Sequence, residues 1–385
     1  MAASQPSIPS TATPIRTFED HIGSIRALTT SSVGRQRLMV TGSADNTAGL
    51  WNLKKGVLLQ KMKKHREWVR AVAVSRNGKC IASGDDNGKL IIWDGKALTQ
   101  TIDAHPGSWI YSLDFSPDGA ILATGSEDKT MKFWSTETWQ LQGNPIDCRA
   151  PVSCIQYSPS GTLVAVGTAL GVRILRTTNG RYIAKMSHLF PVLAWTPNGT
   201  RLLSGGHYPD STIRVWDSSS WQQVGDPWVG HRNDITAISV NHNGTLVASA
   251  SEDKHVRLWR LSDQQNIIIF EHSHPVRSVI FSFDSKQLLS GGDDKKISEW
   301  TIPKDSVSSD PHGKQASSIV SFLFPFVISY SLLIFAQRHK SLPIFSQRHK
   351  GLWRLSWILR PMPSLPIVVK RCWKNSSGGK RYSMR

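Results

Sequence analysis

Cysteine is scarce in this 385-residue chain: Cys80, Cys148, Cys154 and Cys372, with no CxxC pair among them. That excludes a disulfide scaffold of this size and a zinc site built on cysteine pairs. Acidic residues are also few, 28 against 46 Lys and Arg, for a formal net charge of +18. A basic balance raises nucleic acid or an anionic membrane as partners, but only if the charge lies on a folded face. Met1 to Pro14 is Pro/Ser/Thr-rich without an apolar core, so no secretory signal is expected there. The expectation is a reducing, intracellular compartment, cytoplasmic or nuclear. Neither a phosphate-binding glycine loop nor a metal-ligand cluster is found, so no cofactor and no metal are expected.

What the chain has in quantity is tryptophan, 15 residues, and six of them recur at a fixed interval. "FSPDGAILATGSEDKTMKFWS" (Phe115 to Ser135) has a near copy in "VNHNGTLVASASEDKHVRLWR" (Val240 to Arg260), and two more copies end at Asp94 and Thr301. The closing positions are Trp51, Trp93, Trp134, Leu175, Trp216, Trp259 and Trp300, at steps of 42, 41, 41, 41, 43 and 41. Each unit holds three short alternating apolar runs separated by turn signals such as Pro117-Asp118-Gly119, and a fourth run follows the tryptophan. Four short strands per unit of this length form one blade of a β-propeller.

With "RVWD" (Arg214 to Asp217), "IIWD" (Ile91 to Asp94) and "VGHRND" (Val229 to Asp234), the chain resembles the WD40 family over roughly Pro14 to Ile302. The resemblance implies an all-β, seven-bladed propeller at residues 14–302, between an unstructured 1–13 segment and a tail at 303–385. After Trp300 no outer-strand run follows, whereas "TPIRTFED" (Thr13 to Asp20) offers one, so the N-terminal strand is expected to close the ring.

The family's hydrogen-bonded set of His, Ser/Thr, Asp and Trp carries over to His21, Thr41, Asp45 and Trp51 in the first unit, and to His105, Thr124, Asp128 and Trp134 in the third. It carries over likewise to His231, Ser249, Asp253 and Trp259 in the sixth, and to His272, Ser290, Asp294 and Trp300 in the seventh. In the second unit the set is His65, Ser83, Trp93 and, in place of Asp, Asn87. The fourth has Cys148, Val166 and Leu175 at the matching positions and no network. The fifth keeps Ser204, Asp210 and Trp216 but has Met186 at the His position and an insertion around His207-Tyr208-Pro209. Wholesale apolar replacement is cheap and loss of one partner is not, so the fifth blade is expected to be the weaker. Ser, His and Asp recur here around a ring and not once at a pocket, which reads as a lattice and not as a catalytic triad.

WD40 relatives use the narrow loop face for partners, at positions just after the blade His and just before the turn Asp. Here these are Arg26, Trp68, Arg70, Trp109, Tyr111, Asp234 and Arg277, with Asp86, Glu127, Glu252 and Asp293. Trp, Tyr and Arg dominate interface hot spots, so a non-enzymatic scaffold or adaptor for proteins or peptides is the leading expectation. Its oligomeric state stays open.

From Pro303 the composition changes. The tail has 14 Lys/Arg and two acids, a net +12, which leaves +6 for the rest. It contains the uncharged run Ile319 to Ala336, short for a spanning helix, and a near-duplicate pair, "SLLIFAQRHK" and "SLPIFSQRHK". Three readings follow: a chain end without an evolved fold, a membrane anchor at 319–336, or a basic tail for nucleic acid, the last disfavoured by interspersed Leu, Ile and Pro.

Overall fold

The computed structural model describes residues 12–33, 36–95 and 97–303. Every regular element in them is a β-strand. Seven antiparallel sheets follow one another along the chain. Their innermost strands, Ile25–Val33, Val69–Val74, Ile110–Phe115, Val152–Tyr157, Val192–Trp195, Ile235–Val240 and Val276–Phe281, touch in that order, and the last returns to the first. The result is a closed seven-bladed ring.

Closure follows the expected route. Arg16–Phe18 pairs with Ile297–Thr301 of the last blade, Arg16 opposite Glu299 and Phe18 opposite Ile297. Phe18 is buried and meets the Trp51 ring edge-on at 5.7 Å. Arg16 Nε donates to the carboxylate of Glu299, which is itself buried. One short strand thus covers the free edge of the last sheet and ties it to the first blade.

The core lies between blades. Leu246, Val256, Leu258 and Phe270 of blade 6 pack against Val276, Phe281, Leu288 and Trp300 of blade 7. Phe18, Ile25, Met39 and Trp51 likewise meet Leu289 and Ile297 across the closure. Each strand's alternation supplies one apolar side to each neighbour, which is why a single blade is not stable alone.

Six blades have four strands, and blade 5 departs from the expected four. Its outer run makes only isolated bridges, Trp216 to Gln223 and Ile213 to Trp228. Between them lies Gly225-Asp226-Pro227, with Gly225 at φ 69° and Pro227 lacking an N–H to give the ladder. Blade 3 has the same device, Gly143-Asn144-Pro145, which leaves an outer strand of two residues, Ile146–Asp147.

Residues 1–11 and 304–385 lie outside the described residues. So do the Ile319–Ala336 run and the duplicated decapeptides. Among the described residues no helix is long and apolar enough to cross a membrane, and no group of His, Cys, Asp and Glu could hold a metal ion.

Candidate functional site

Two sets of polar residues recur around the ring, one inside the blades and one at the mouth of the channel. The interior set follows the same chain of contacts in blades 1, 3, 6 and 7. In blade 6 the Trp259 indole N–H donates to Ser249 Oγ (2.8 Å), His231 Nε2 meets that hydroxyl at 2.7 Å, and His231 Nδ1 meets Asp253 at 2.9 Å. The carboxylate takes Nδ1–H, so Nε2 is left to accept the hydroxyl proton. Blades 1, 3 and 7 repeat this through His21–Thr41–Asp45, His105–Thr124–Asp128 and His272–Ser290–Asp294. Trp51, Trp134 and Trp300 supply the indole donors. Thr41, Thr124, Ser249 and Ser290 are completely buried, so no external substrate reaches these hydroxyls.

Three expectations for this set need correction. In blade 2 the carboxylate is Asp85, 2.8 Å from His65 Nδ1, and not a group at Asn87, which is exposed. Asp85 ends the strand Cys80–Asp85 and also accepts the backbone N–H groups of Asn87 (3.0 Å) and Lys89 (2.9 Å). Ser83 and Trp93 complete that blade as expected. In blade 5 the histidine is His188, not absent with Met186 in its place. Its Nδ1 lies 2.6 Å from Ser204 Oγ, which also accepts the Trp216 N–H. Met186 instead ends the outer strand of blade 4. Asp210 stands apart from this set: its Oδ2 is 3.8 Å from His188 Nε2 and takes Arg214 at 2.8 Å. His188 Nε2 is therefore buried without a partner, and burial pushes its pKa down to about 4. In blade 4 Cys148, Val166 and Leu175 are buried, a wholly apolar replacement.

The second set is built by a backbone irregularity. In six blades the register slips at the second residue of the innermost strand. The residues skipped by the pairing are Arg26, Arg70, Tyr111, Ser153, Thr236 and Arg277. A bulge frees its residue from the ladder and turns the side chain out of the regular alternation. Blade 5 has Pro191 before its strand and no such slip. The acids are held by the same loops. The backbone N–H groups of Asp86, Glu127, Glu252 and Asp293 bond the carbonyls of Trp68, Trp109, Asp234 and Pro275 at 2.9–3.1 Å. Each is thereby set beside the loop that precedes a bulge.

These residues join into one arc across blades 6, 7, 1, 2 and 3. Arg277 bonds both Glu252 and Asp293. The Ser24 hydroxyl also donates to Asp293, and Arg26 Nη1 stands 4.0 Å from it. Burial raises the Asp293 carboxyl, but Arg277, Ser24 and Arg26 outweigh that and hold it low. The Arg26 guanidinium lies 5.0 Å from the Trp68 ring centroid, and Arg70 lies 4.4 Å from that of Trp109 and 5.5 Å from that of Tyr111. Arg70 grips Asp86 through two bonds of 2.6 and 2.8 Å. Trp68 and Trp109 remain 42% and 38% exposed, so neighbouring loops do not consume them. Asp234 turns away toward His207 (3.0 Å) and the Tyr208 N–H (2.7 Å) of blade 5.

Opposite the arc, the same face carries an apolar patch that sequence reasoning did not single out. Leu170, Leu189, Phe190 and Tyr208 are all exposed, and the Phe190 ring sits 5.4 Å from that of His207. They belong to the fourth and fifth units, where the departures from the repeat and the two-residue insertion were the available signal.

The channel encloses about 510 Å³ lined by inner strands of all seven blades. Asp114 is its one charged lining residue among those described. Its carboxylate accepts the Tyr157 N–H at 2.7 Å, and burial raises its pKa to about 7.

Six stretches match the family model "WD domain, G-beta repeat": 12–52, 56–94, 96–135, 187–217, 222–260 and 264–301. The unmatched stretch is the fourth unit, which nevertheless builds a four-stranded blade. The chain is similar to "Periodic tryptophan protein 2 homolog" of Dictyostelium discoideum, 24% identical over 66% of this chain and 28% of that protein. It is similar to "Actin-interacting protein 1" of Drosophila melanogaster, 24% identical over 69% of this chain and 51% of the other. "Small ribosomal subunit protein RACK1y" of Oryza sativa subsp. japonica is 30% identical over 53% of this chain and 50% of its own length. The chain thus spans about half or less of these relatives.

Proposed function

The chain belongs to the WD40 family, and from that premise we propose that it is a non-enzymatic scaffold or adaptor holding protein or peptide partners on its narrow loop face. The observation that carries this reading is the pair of exposed tryptophans, Trp68 and Trp109, each lying under an arginine from the preceding blade. Large rigid rings flanked by arginine and rimmed by acids are the composition of an interface hot spot. Solvent exposure leaves the rings free to be covered by a partner. The interior Ser/His/Asp sets are sealed and serve the blades, which fits a scaffold better than a hydrolase. A relative such as the actin-interacting protein is by its name a protein-binding member. The three described cysteines are unpaired, in keeping with a reducing intracellular location.

The test is affinity capture with the full chain and with a Trp68→Ala, Arg70→Ala, Trp109→Ala variant. The variant is expected to keep its circular dichroism spectrum and lose the captured partners. Capture of the same partners at the same yield sinks the reading.

A further inference from the structure

Three arginines stand at bulges on the channel mouth, and their ion pairing differs. Arg70 has Asp86 to itself through two bonds, and Arg277 has Glu252 and Asp293. Arg26 has neither arrangement. Its nearest carboxylate, Asp293 at 4.0 Å, is already engaged by Arg277 and by the Ser24 hydroxyl. Among the described residues no acceptor takes a hydrogen bond from Arg26, and its Nε is buried and unpartnered. Its side chain is only 18% exposed, so water compensates it incompletely. Burial, Arg277 and Arg70 all disfavour its charge, in that order of strength among the lowering causes.

The orientation adds to this. The guanidinium carbon lies 5.0 Å from the Trp68 ring centroid. Nε is buried, so the donors a ligand can reach are the two terminal nitrogens, a fork matched to two oxygens of one anionic group. We propose that Arg26 reads a single anionic side chain, a carboxylate or a phosphate, on a peptide segment docked across Trp68. This rests on the reading of the narrow face given above and names the chemistry that face selects.

The surrounding acids limit what is accepted. Asp86, Glu127, Glu252 and Asp293 line the same arc, so a uniformly acidic segment is repelled on both sides of Arg26. The fitting ligand has one anion in an otherwise neutral or basic stretch.

The test uses the full chain and fluorescence anisotropy with three labelled degenerate peptide pools. The pools lack acids except at one central position, which is Glu, phosphoserine or Gln. The Glu or phosphoserine pool is expected to bind about tenfold tighter than the Gln pool, a difference near 1.4 kcal/mol. The stronger of the two names the source of the anion. Arg26→Gln, with an unchanged melting temperature, is expected to erase that advantage, and Arg26→Lys to retain part of it. Equal binding of all pools, an anion preference surviving in Arg26→Gln, or no binding by any pool overturns the proposal. If all pools bind equally and Trp68→Ala with Trp109→Ala abolishes that binding, the face binds peptides without reading charge. If the tryptophan substitutions change nothing for pools that bind, the narrow-face reading itself fails.

Discussion

Asp85 and Asn87 lie two residues apart in one turn, and only Asp85 serves His65. Asp85 closes a buried strand, where its carboxylate meets the imidazole and two backbone N–H groups at once. Asn87 points to solvent. Asp85→Ala leaves a buried imidazole without its acceptor and is expected to cost about 3 kcal/mol, because each orphaned buried group costs roughly 1–3. Asn87→Ala is expected to stay within about 0.5 kcal/mol. Urea unfolding of the two variants decides it, and the reverse ranking rejects the assignment. Ser249→Ala orphans both Trp259 Nε1 and His231 Nε2, for about 2–4 kcal/mol by the same reasoning. The same denaturation measurement tests it, and a loss under about 1 kcal/mol counts against the relay. Most of this lattice was legible because its members recur at fixed spacing. It was misplaced in blades 2 and 5, where the Asp or His moved by two residues and a partner three-dimensionally nearer took the role.

At the scale of the element, the inner-strand bulge and the closing strand do the most. The closing strand was readable, since the last unit lacked an outer run and the N-terminal segment supplied one. Its energetics depend on Arg16, whose partner Glu299 is 2% exposed. Arg16→Ala leaves that carboxylate buried and unpaired, so a loss of about 3 kcal/mol is expected. Deleting residues through Phe18 removes the strand as well and exposes the sheet edge, so aggregation on heating is expected to accompany the lower melting temperature. Light scattering during a thermal melt checks both, and a deletion that melts like the full chain would falsify closure by this strand. The bulges were not readable. An extra residue in one strand has no composition signature, and the residues it turns outward, Arg26, Ser153 and Thr236 among them, share no side-chain chemistry. The outer runs of blades 3 and 5 shortened for a reason visible only afterwards: a glycine at positive φ followed two residues later by proline, which breaks the ladder.

For the whole molecule, acid is the sensitive direction. Burial lowers the pKa of His105 and His231, and that of His188 to about 4, so each ring takes up its proton at a lower pH in the fold than in the unfolded chain, where it protonates near 6.5. Stability from such groups is full above about 6.5 and is lost as pH falls toward their folded values. Asp114 acts oppositely: with its pKa raised to about 7, acidification relieves it. Between about pH 7 and 5 the histidine loss and the Asp114 relief oppose each other. Below about 3.9 the balance is a loss, since at Asp45, Asp128 and Asp253 burial is outweighed by hydrogen bonds that hold the carboxylate low. Melting by circular dichroism is expected to be lower by several degrees at pH 3 than at pH 5. A flat or rising profile over that range contradicts the hydrogen-bonded carboxylates of the lattice.

The number of blades, the route of closure and the residue types of the lattice were determined by the sequence alone. Each depends on contacts within one repeat or on a run present at one end and missing at the other, and local periodicity records both. The arc at the channel mouth was decided only by the tertiary structure. Which arginine holds a carboxylate through hydrogen bonds and which stands off at 4.0 Å depends on side chains from neighbouring blades competing for Asp293, after bulges have turned them toward each other. Sequence spacing is silent about that competition, because its members are brought together by ring closure and not by the chain.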